Sequence, residues 1–152
     1  MSGYSIAPAG EADLDDLLPL MRAYCEFYAV APSDEDLLAL ARALIGDPER
    51  EGLQMIARNA DGEAHGFATI FWTWSTTAAS RIGVMNDLYV APDARGHGLA
   101  DDLIRACADR CRARGARRLE WKTALDNHRA QAVYDRVGGE RSQWLDYELR
   151  TG

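Results

Sequence analysis

The run NDLYVAPDARGHGLADDLIRACADRC, residues 86–111, decides the fold. It opens on the end of an apolar stretch that reads as a strand and stops at Pro92. Gly96 and Gly98 follow one residue apart behind Arg95, and a helical pattern begins at once. Leu99, Leu103, Cys107 and Cys111 repeat every four residues, with Ala100, Ile104 and Ala108 beside them. A strand that feeds a glycine turn and then an amphipathic helix belongs to a sheet with helices packed on it.

Outward from this run, YSIAPA predicts a short first strand closed by Pro8. Leu14, Leu17, Leu18, Met21, Tyr24, Cys25 and Tyr28 form one helical stripe, in which Pro19 predicts a kink or a break. SDEDLLALARALIGDPE predicts a second helix, with Ser33 as N-cap, Asp36 completing a weak capping box and Gly46 at the C-terminal cap. GLQMIARNADGEAHGFATIFWTWS predicts a hairpin, with strands over 53–58 and 65–75 joined through Asp61-Gly62. RIGVMNDLYV is a further strand, and the helix from Leu99 stops at Gly115. RRLEWKTA predicts a strand, DNHRAQAVYDRVGG a short helix, and the alternation in SQWLDYELR a closing strand. The order β-α-α-β-β-β-α-β-α-β predicts an α/β (α+β) fold: a mixed sheet with helices on both faces.

A chain of 152 residues predicts a single domain over 1–152. Its 47% hydrophobic and 27% charged residues match a globular protein. No apolar run reaches membrane-spanning length and no signal peptide opens the chain, so the expectation is a cytoplasmic protein with no membrane partner. The net charge of -7 argues against broad nucleic-acid binding, which needs a basic face. It suits a cationic partner, and solubility alone explains it as well. Cys25, Cys107 and Cys111 lack a C-x-x-C, and the three histidines are scattered, so no disulfide framework or metal site is expected.

A helix start leaves N–H groups unpaired at the positive end of a dipole, and glycine lets an anion approach them. Together with Arg95, ARGHGLA therefore reads as a phosphate cradle, best suited to a pyrophosphate. The P-loop pattern fails because Leu99 and Ala100 stand where Lys and Ser/Thr are needed. The dinucleotide fingerprint fails at Asp101, although Glu120 lies at a ribose-binding distance downstream. The pattern [Q/R]-x-x-G-x-[G/A] fits Arg95, Gly98 and Ala100.

With that pattern, DLYVAPDARGHGLADDLI resembles the coenzyme A strand-turn-helix of the GNAT superfamily of N-acyltransferases. DNHRAQAVYDRVGG resembles the same family's second signature, N-x-x-A-x-x-x-Y. The element order matches too, so the resemblance covers nearly the whole chain. NDLYV is similar to small amine-acetylating members, including diamine acetyltransferases, which usually carry an acidic residue where Asn86 stands. Gly138-Gly139 departs from the Gly-aromatic pair frequent in the family.

The resemblance implies a central sheet splayed between the fourth and fifth strands, with acetyl-CoA as cofactor. It places the pyrophosphate on the backbone of Gly96, His97, Gly98, Leu99 and Ala100, beside Arg95. The pantetheine arm lies along Leu88, Tyr89 and Val90, whose strand is bent by a bulge, and Asn127 contacts that arm. An N–H near Leu88 meets the developing oxyanion, and Tyr134 protonates the leaving thiolate. An alkyl ammonium must lose a proton before attack, and Asp87 is the best-placed base, directly or through water. Two readings of Asp87 stand side by side, base and structural carboxylate. Alternation puts Asn86 and Asp87 on opposite faces, so an Asn86 facing the substrate leaves the base to a water chain. Tyr134 likewise shares a face with Ala130, Val133 and Val137, as a core residue would.

The resulting expectation is transfer of an acetyl group from acetyl-CoA to a primary amine by direct attack. The alternatives are a non-catalytic acyl-CoA-binding module and a nucleotide-binding oxidoreductase. Trp72, Trp74, Tyr24, Phe27 and Tyr28 read as core, as a dimer contact, or as the wall of an amine pocket. The acceptor is left open among small amines, polyamines, amino acids, aminoglycosides and protein N-termini, and the resemblance is compatible with a homodimer.

Overall fold

The computed structural model describes residues 3–152. Strand β1 is Ser5–Pro8, helix α1 Leu14–Phe27, α2 Asp34–Gly46, β2 Gly52–Arg58, β3 Ala64–Ser75 and β4 Ser80–Val90. Helix α3 is Leu99–Arg114, β5 Leu119–Glu120 and α4 His128–Arg136. The strands form one sheet in the order β1-β2-β3-β4-β5, antiparallel except for the parallel pair β4–β5.

Helices cover both faces of this sheet. On one face Leu99, Leu103, Ile104, Cys107 and Cys111 of α3 pack against Met55, Ala68, Ile70, Trp72 and Met85. On the other, Leu14, Leu17 and Met21 of α1 and Leu37 and Ala41 of α2 pack against Ile56 and Phe67. Burial pushes the Cys107 thiol up to about 12 and the Cys111 thiol up to about 11, which suits small apolar packing groups rather than nucleophiles. The Ser33 cap and the Gly115 stop form as expected, whereas α2 runs through Gly46 and is capped at Asp47 instead. The Ser33 hydroxyl accepts from the Asp36 N–H at 3.1 Å to start α2. Gly115, with φ +77°, ends α3 in the left-handed conformation.

The break allowed for at Pro19 does not occur, the strand expected over residues 117–124 shrinks to Leu119–Glu120, and the closing strand is absent. Helix α1 runs unbroken through Pro19. Pro19 and Asp15 are both exposed, so the helical bond that Pro19 cannot donate to the Asp15 carbonyl is lost on the solvent side of the helix. The closing strand over residues 142–150 is not formed, so the order agrees only through α4. Strand β5 stops at Glu120 and offers no ladder beyond it. Lys122 reaches Asp146 at 3.2 Å, an exposed pair. Trp144, Leu145, Tyr147 and Leu149 lie between 82% and 89% exposed. Alternation makes a strand only when a neighbouring edge supplies backbone partners.

Candidate active site

A β-bulge shapes strand β4 at the site. Thr69 pairs with Asp87 but Ile70 pairs with Met85, which leaves Asn86 as the extra residue. Met85 and Leu88 consequently both face the α3 cluster, although they are three residues apart. The bulge also overrides the expected opposition of Asn86 and Asp87. The Asn86 Nδ2 donates to the Asp87 Oδ1 at 2.9 Å, and the Tyr24 hydroxyl of α1 donates to the Asn86 carbonyl at 3.1 Å.

Beyond the bulge, β4 has an uncovered edge. The Ala91 N–H donates to the His65 carbonyl at 2.8 Å. Antiparallel alternation then places Tyr89 and Asp87 in hydrogen-bonded pairs with β3, and turns the N–H and C=O of Leu88 and Val90 away from it. On that side β5 pairs only Leu119 with Gly83 and Glu120 with Val84, so the sheet opens from Met85 onward. This is the expected splay between the fourth and fifth strands. The Val90 carbonyl takes a 2.9 Å bond from the Arg95 Nε, while the Leu88 groups have no partner among the described residues. Tyr89 spends its backbone on β3.

The glycine turn stands at the end of this edge. Gly96 and Gly98 have φ of +85° and +81°, and an added Cβ at either would meet nothing within 4 Å. Glycine is needed there for conformation rather than for space. No described group accepts from the N–H groups of Gly96, His97, Gly98, Leu99 or Ala100. They form a cluster of donors at the positive end of a 16-residue helix. Arg95 is exposed, with its guanidinium 5.8 Å from the Tyr89 ring centroid, and forms no ion pair among the described residues. His97 is an exposed turn residue.

Helix α4 brings Tyr134 to the same region. Leu88, Ala100, Trp121 and Tyr134 all pack at the margin of the α3 core cluster. Tyr134 meets Trp121 edge-on at 5.4 Å between centroids. Burial, and secondarily Tyr28, raises the Tyr134 hydroxyl above its ordinary value, so it keeps its proton at neutral pH. Asn127 caps α4, its Oδ1 accepting from the Ala130 N–H at 3.1 Å. Gly139 is closely packed: an added Cβ there would lie 3.0 Å from the Tyr134 carbonyl oxygen and 3.2 Å from the Trp121 ring.

The sequence reading missed Asp101. It is buried on the first turn of α3 and grips Arg136 of α4 through two bonds of 2.8 and 2.7 Å. Its hydrogen bonds to Arg136 hold the Asp101 carboxyl below the usual carboxylate range. The only available signal was an acid in a helix's first turn, which the macrodipole explains on its own.

Asp87 combines opposing influences. Burial raises its carboxyl above the ordinary range, while its polar neighbours Thr69, Asn86 and Tyr24 pull it down less strongly. Burial, then the Asp87 charge, raises the Tyr24 hydroxyl, which therefore stays a donor. The Tyr24 ring also packs at a tilt against Tyr28, with centroids 5.0 Å apart, and Phe27 and Tyr28 are exposed beside it. Trp72 is buried core, whereas Trp74 is exposed under Arg81.

The acetyltransferase (GNAT) family profile matches residues 11–139. The chain belongs to the GNAT acetyltransferase family. This GNAT chain is 32% identical over 136 residues to the uncharacterized N-acetyltransferase YhfO of Bacillus subtilis, covering 90% of this chain and 89% of that protein. It is 30% identical to the L-methionine sulfoximine/L-methionine sulfone acetyltransferase of Pseudomonas aeruginosa, covering 93% and 90%. A crystal structure of a probable acetyltransferase superposes with a TM-score of 0.85 at 27% identity, over 97% of this chain and 98% of the other. The GNAT chain is thus an acyl-CoA-dependent N-acetyltransferase, and its free amides and open edge suit that ligand. A diphosphate needs clustered donors, and an amide-rich arm needs a strand edge with both N–H and C=O on offer.

Proposed function

We propose that this enzyme transfers the acetyl group of acetyl-CoA to the primary amine of a small molecule by direct attack. The observation that carries the reading is the meeting of unpartnered amides at Gly96 to Ala100 with the uncovered Leu88 edge, both bordered by the helix of Tyr134. Acetyl-CoA supplies an activated acyl thioester. The amides of Gly96, His97, Gly98, Leu99 and Ala100, with Arg95, hold the diphosphate. Leu88, in the segment Leu88-Tyr89-Val90, offers a backbone donor and acceptor to the arm, and Asn127 adds its unused Nδ2. The Leu88 N–H receives negative charge as it develops on the acyl oxygen.

Asp87 takes the proton of the incoming ammonium, directly or through a water. Its raised carboxyl brings it nearer to the working pH of a base. Tyr134 gives its proton to the departing thiolate, a role supported by a raised hydroxyl that stays protonated at neutral pH. Tyr24, Tyr28 and Phe27 wall the acceptor side, where ring faces attract a cation. An amino-acid amine is the first acceptor to try, because one relative is named for such compounds. The enzyme works as a single N-acetyltransferase domain, in the cytoplasm and as a homodimer joined through the exposed apolar side chains of residues 144–149.

The test is thiol release across amino acids, polyamines and simple alkylamines, with CoA binding measured in parallel. Tyr134→Phe is expected to lower kcat by about 10²-fold while leaving the CoA Kd within about two-fold. Unchanged turnover would remove Tyr134 as the acid. CoA binding with no thiol release for any amine would instead identify a non-catalytic acyl-CoA-binding module.

A further inference from the structure

At the other end of α3 from the glycine turn lies a cavity of ≈ 360 Å³, within the range that accepts small organic ligands. The helix is 16 residues long, so its two ends lie about 22 Å apart at the usual rise per residue. The cavity opens where β1 stops short of the start of β2 and the C-terminal turns of α2 and α3 overhang the sheet. Leu44, Ile45, Leu53 and the Trp72 ring give it an apolar wall, and Arg110 and Arg114 stand on its rim.

The two arginines are one helical turn apart and share a face. Arg110 has no ion pair or hydrogen bond among the described residues. Arg114 lies 5.7 Å over the Trp72 ring and donates through Nη2 to the Glu49 carbonyl. Its Nε has no acceptor among the described residues but is closed to solvent, so a ligand in the cavity meets the Nη groups. The Glu49 carboxylate is 83% exposed and 3.9 Å from Arg114, too loosely held to neutralise both cations. Trp72 is fixed in place by its Nε1, which donates to the Pro48 carbonyl at 2.9 Å.

We propose that this cavity is a second binding site, for a small organic carboxylate with an apolar body. The carboxylate accepts from Arg110 and Arg114, whose planar guanidinium groups match it in geometry, and the body lies against Trp72, Leu44 and Ile45. Nothing in the acyl-transfer reading requires this site, and it uses none of the same residues.

The probe is 3-phenylpropionate, with neutral 3-phenylpropanamide as its isostere, titrated into the 15N-labelled protein. The four tryptophan indole N–H signals are assigned by elimination from Trp74→Phe, Trp121→Phe and Trp144→Phe. The acid is expected to move the Trp72 signal saturably and the amide is not. The exposed substitution Arg110→Gln is expected to weaken the effect by about tenfold while leaving thiol release unchanged. Equal response to the amide, no saturable shift, or indifference to Arg110→Gln would overturn the proposal. A shift at Trp121 in place of Trp72 would place the ligand in the acyl-transfer cleft and would overturn it too.

Discussion

Asp87 carries a proton more readily in the folded chain than in the unfolded one, because burial outweighs its polar neighbours. Between the ordinary carboxylate value and this raised one, the folded state binds more protons, so stability falls as pH rises through that window. At neutral pH the ionised carboxylate is therefore a net cost. Asp87→Asn is expected to raise Tm at pH 7.5, with the gain shrinking as the pH is lowered through the carboxylate range. The same variant is expected to lose about 10²-fold or more in kcat and the acidic limb of its pH–rate profile. Calorimetry across pH, paired with thiol-release kinetics, checks both halves. A purely structural Asp87 would leave the rate profile in place.

Elements are held in register by contacts that no motif announces. Asp101 on α3 clamps Arg136 on α4, two residues from Tyr134. Asp101→Asn is expected to lower kcat several-fold and raise hydrogen exchange in α4, with the α1 and α2 amides unaffected. In the turn before α3, the left-handed φ of Gly98 is the constraint. Gly98→Ala should destabilise the fold by about 1 kcal/mol and weaken CoA binding more than it lowers kcat, readable by denaturant titration and calorimetry. Motif and structure agree at this turn because a glycine in the left-handed region is a local requirement, fully written in local sequence. The clamp is not written there, because an Asp and an Arg 35 residues apart meet only after both helices have docked.

Over the whole molecule, the exposed row Trp144, Leu145, Tyr147 and Leu149 is the largest departure from expected burial. In the proposed homodimer this row is covered by the partner. Light scattering is expected to give a dimer mass, and Trp144→Lys with Tyr147→Lys a monomer. A wild-type monomer at micromolar concentration would remove the dimer. The sequence alone determined the elements up to α4, the glycine turn and the family, because periodicity, caps and backbone conformation are short-range consequences of residue type. It also presented Asp87 and Tyr134 as candidates, without showing what surrounds them. Tertiary structure decided that a bulge at Asn86 turns two consecutive side chains to one side, that Leu88 faces an open gap, that Gly139 packs closely against Trp121, and that the last alternating segment has no strand to join. Each depends on which backbone lies alongside which, and that is set by packing between segments far apart in the chain rather than by the residues of either one.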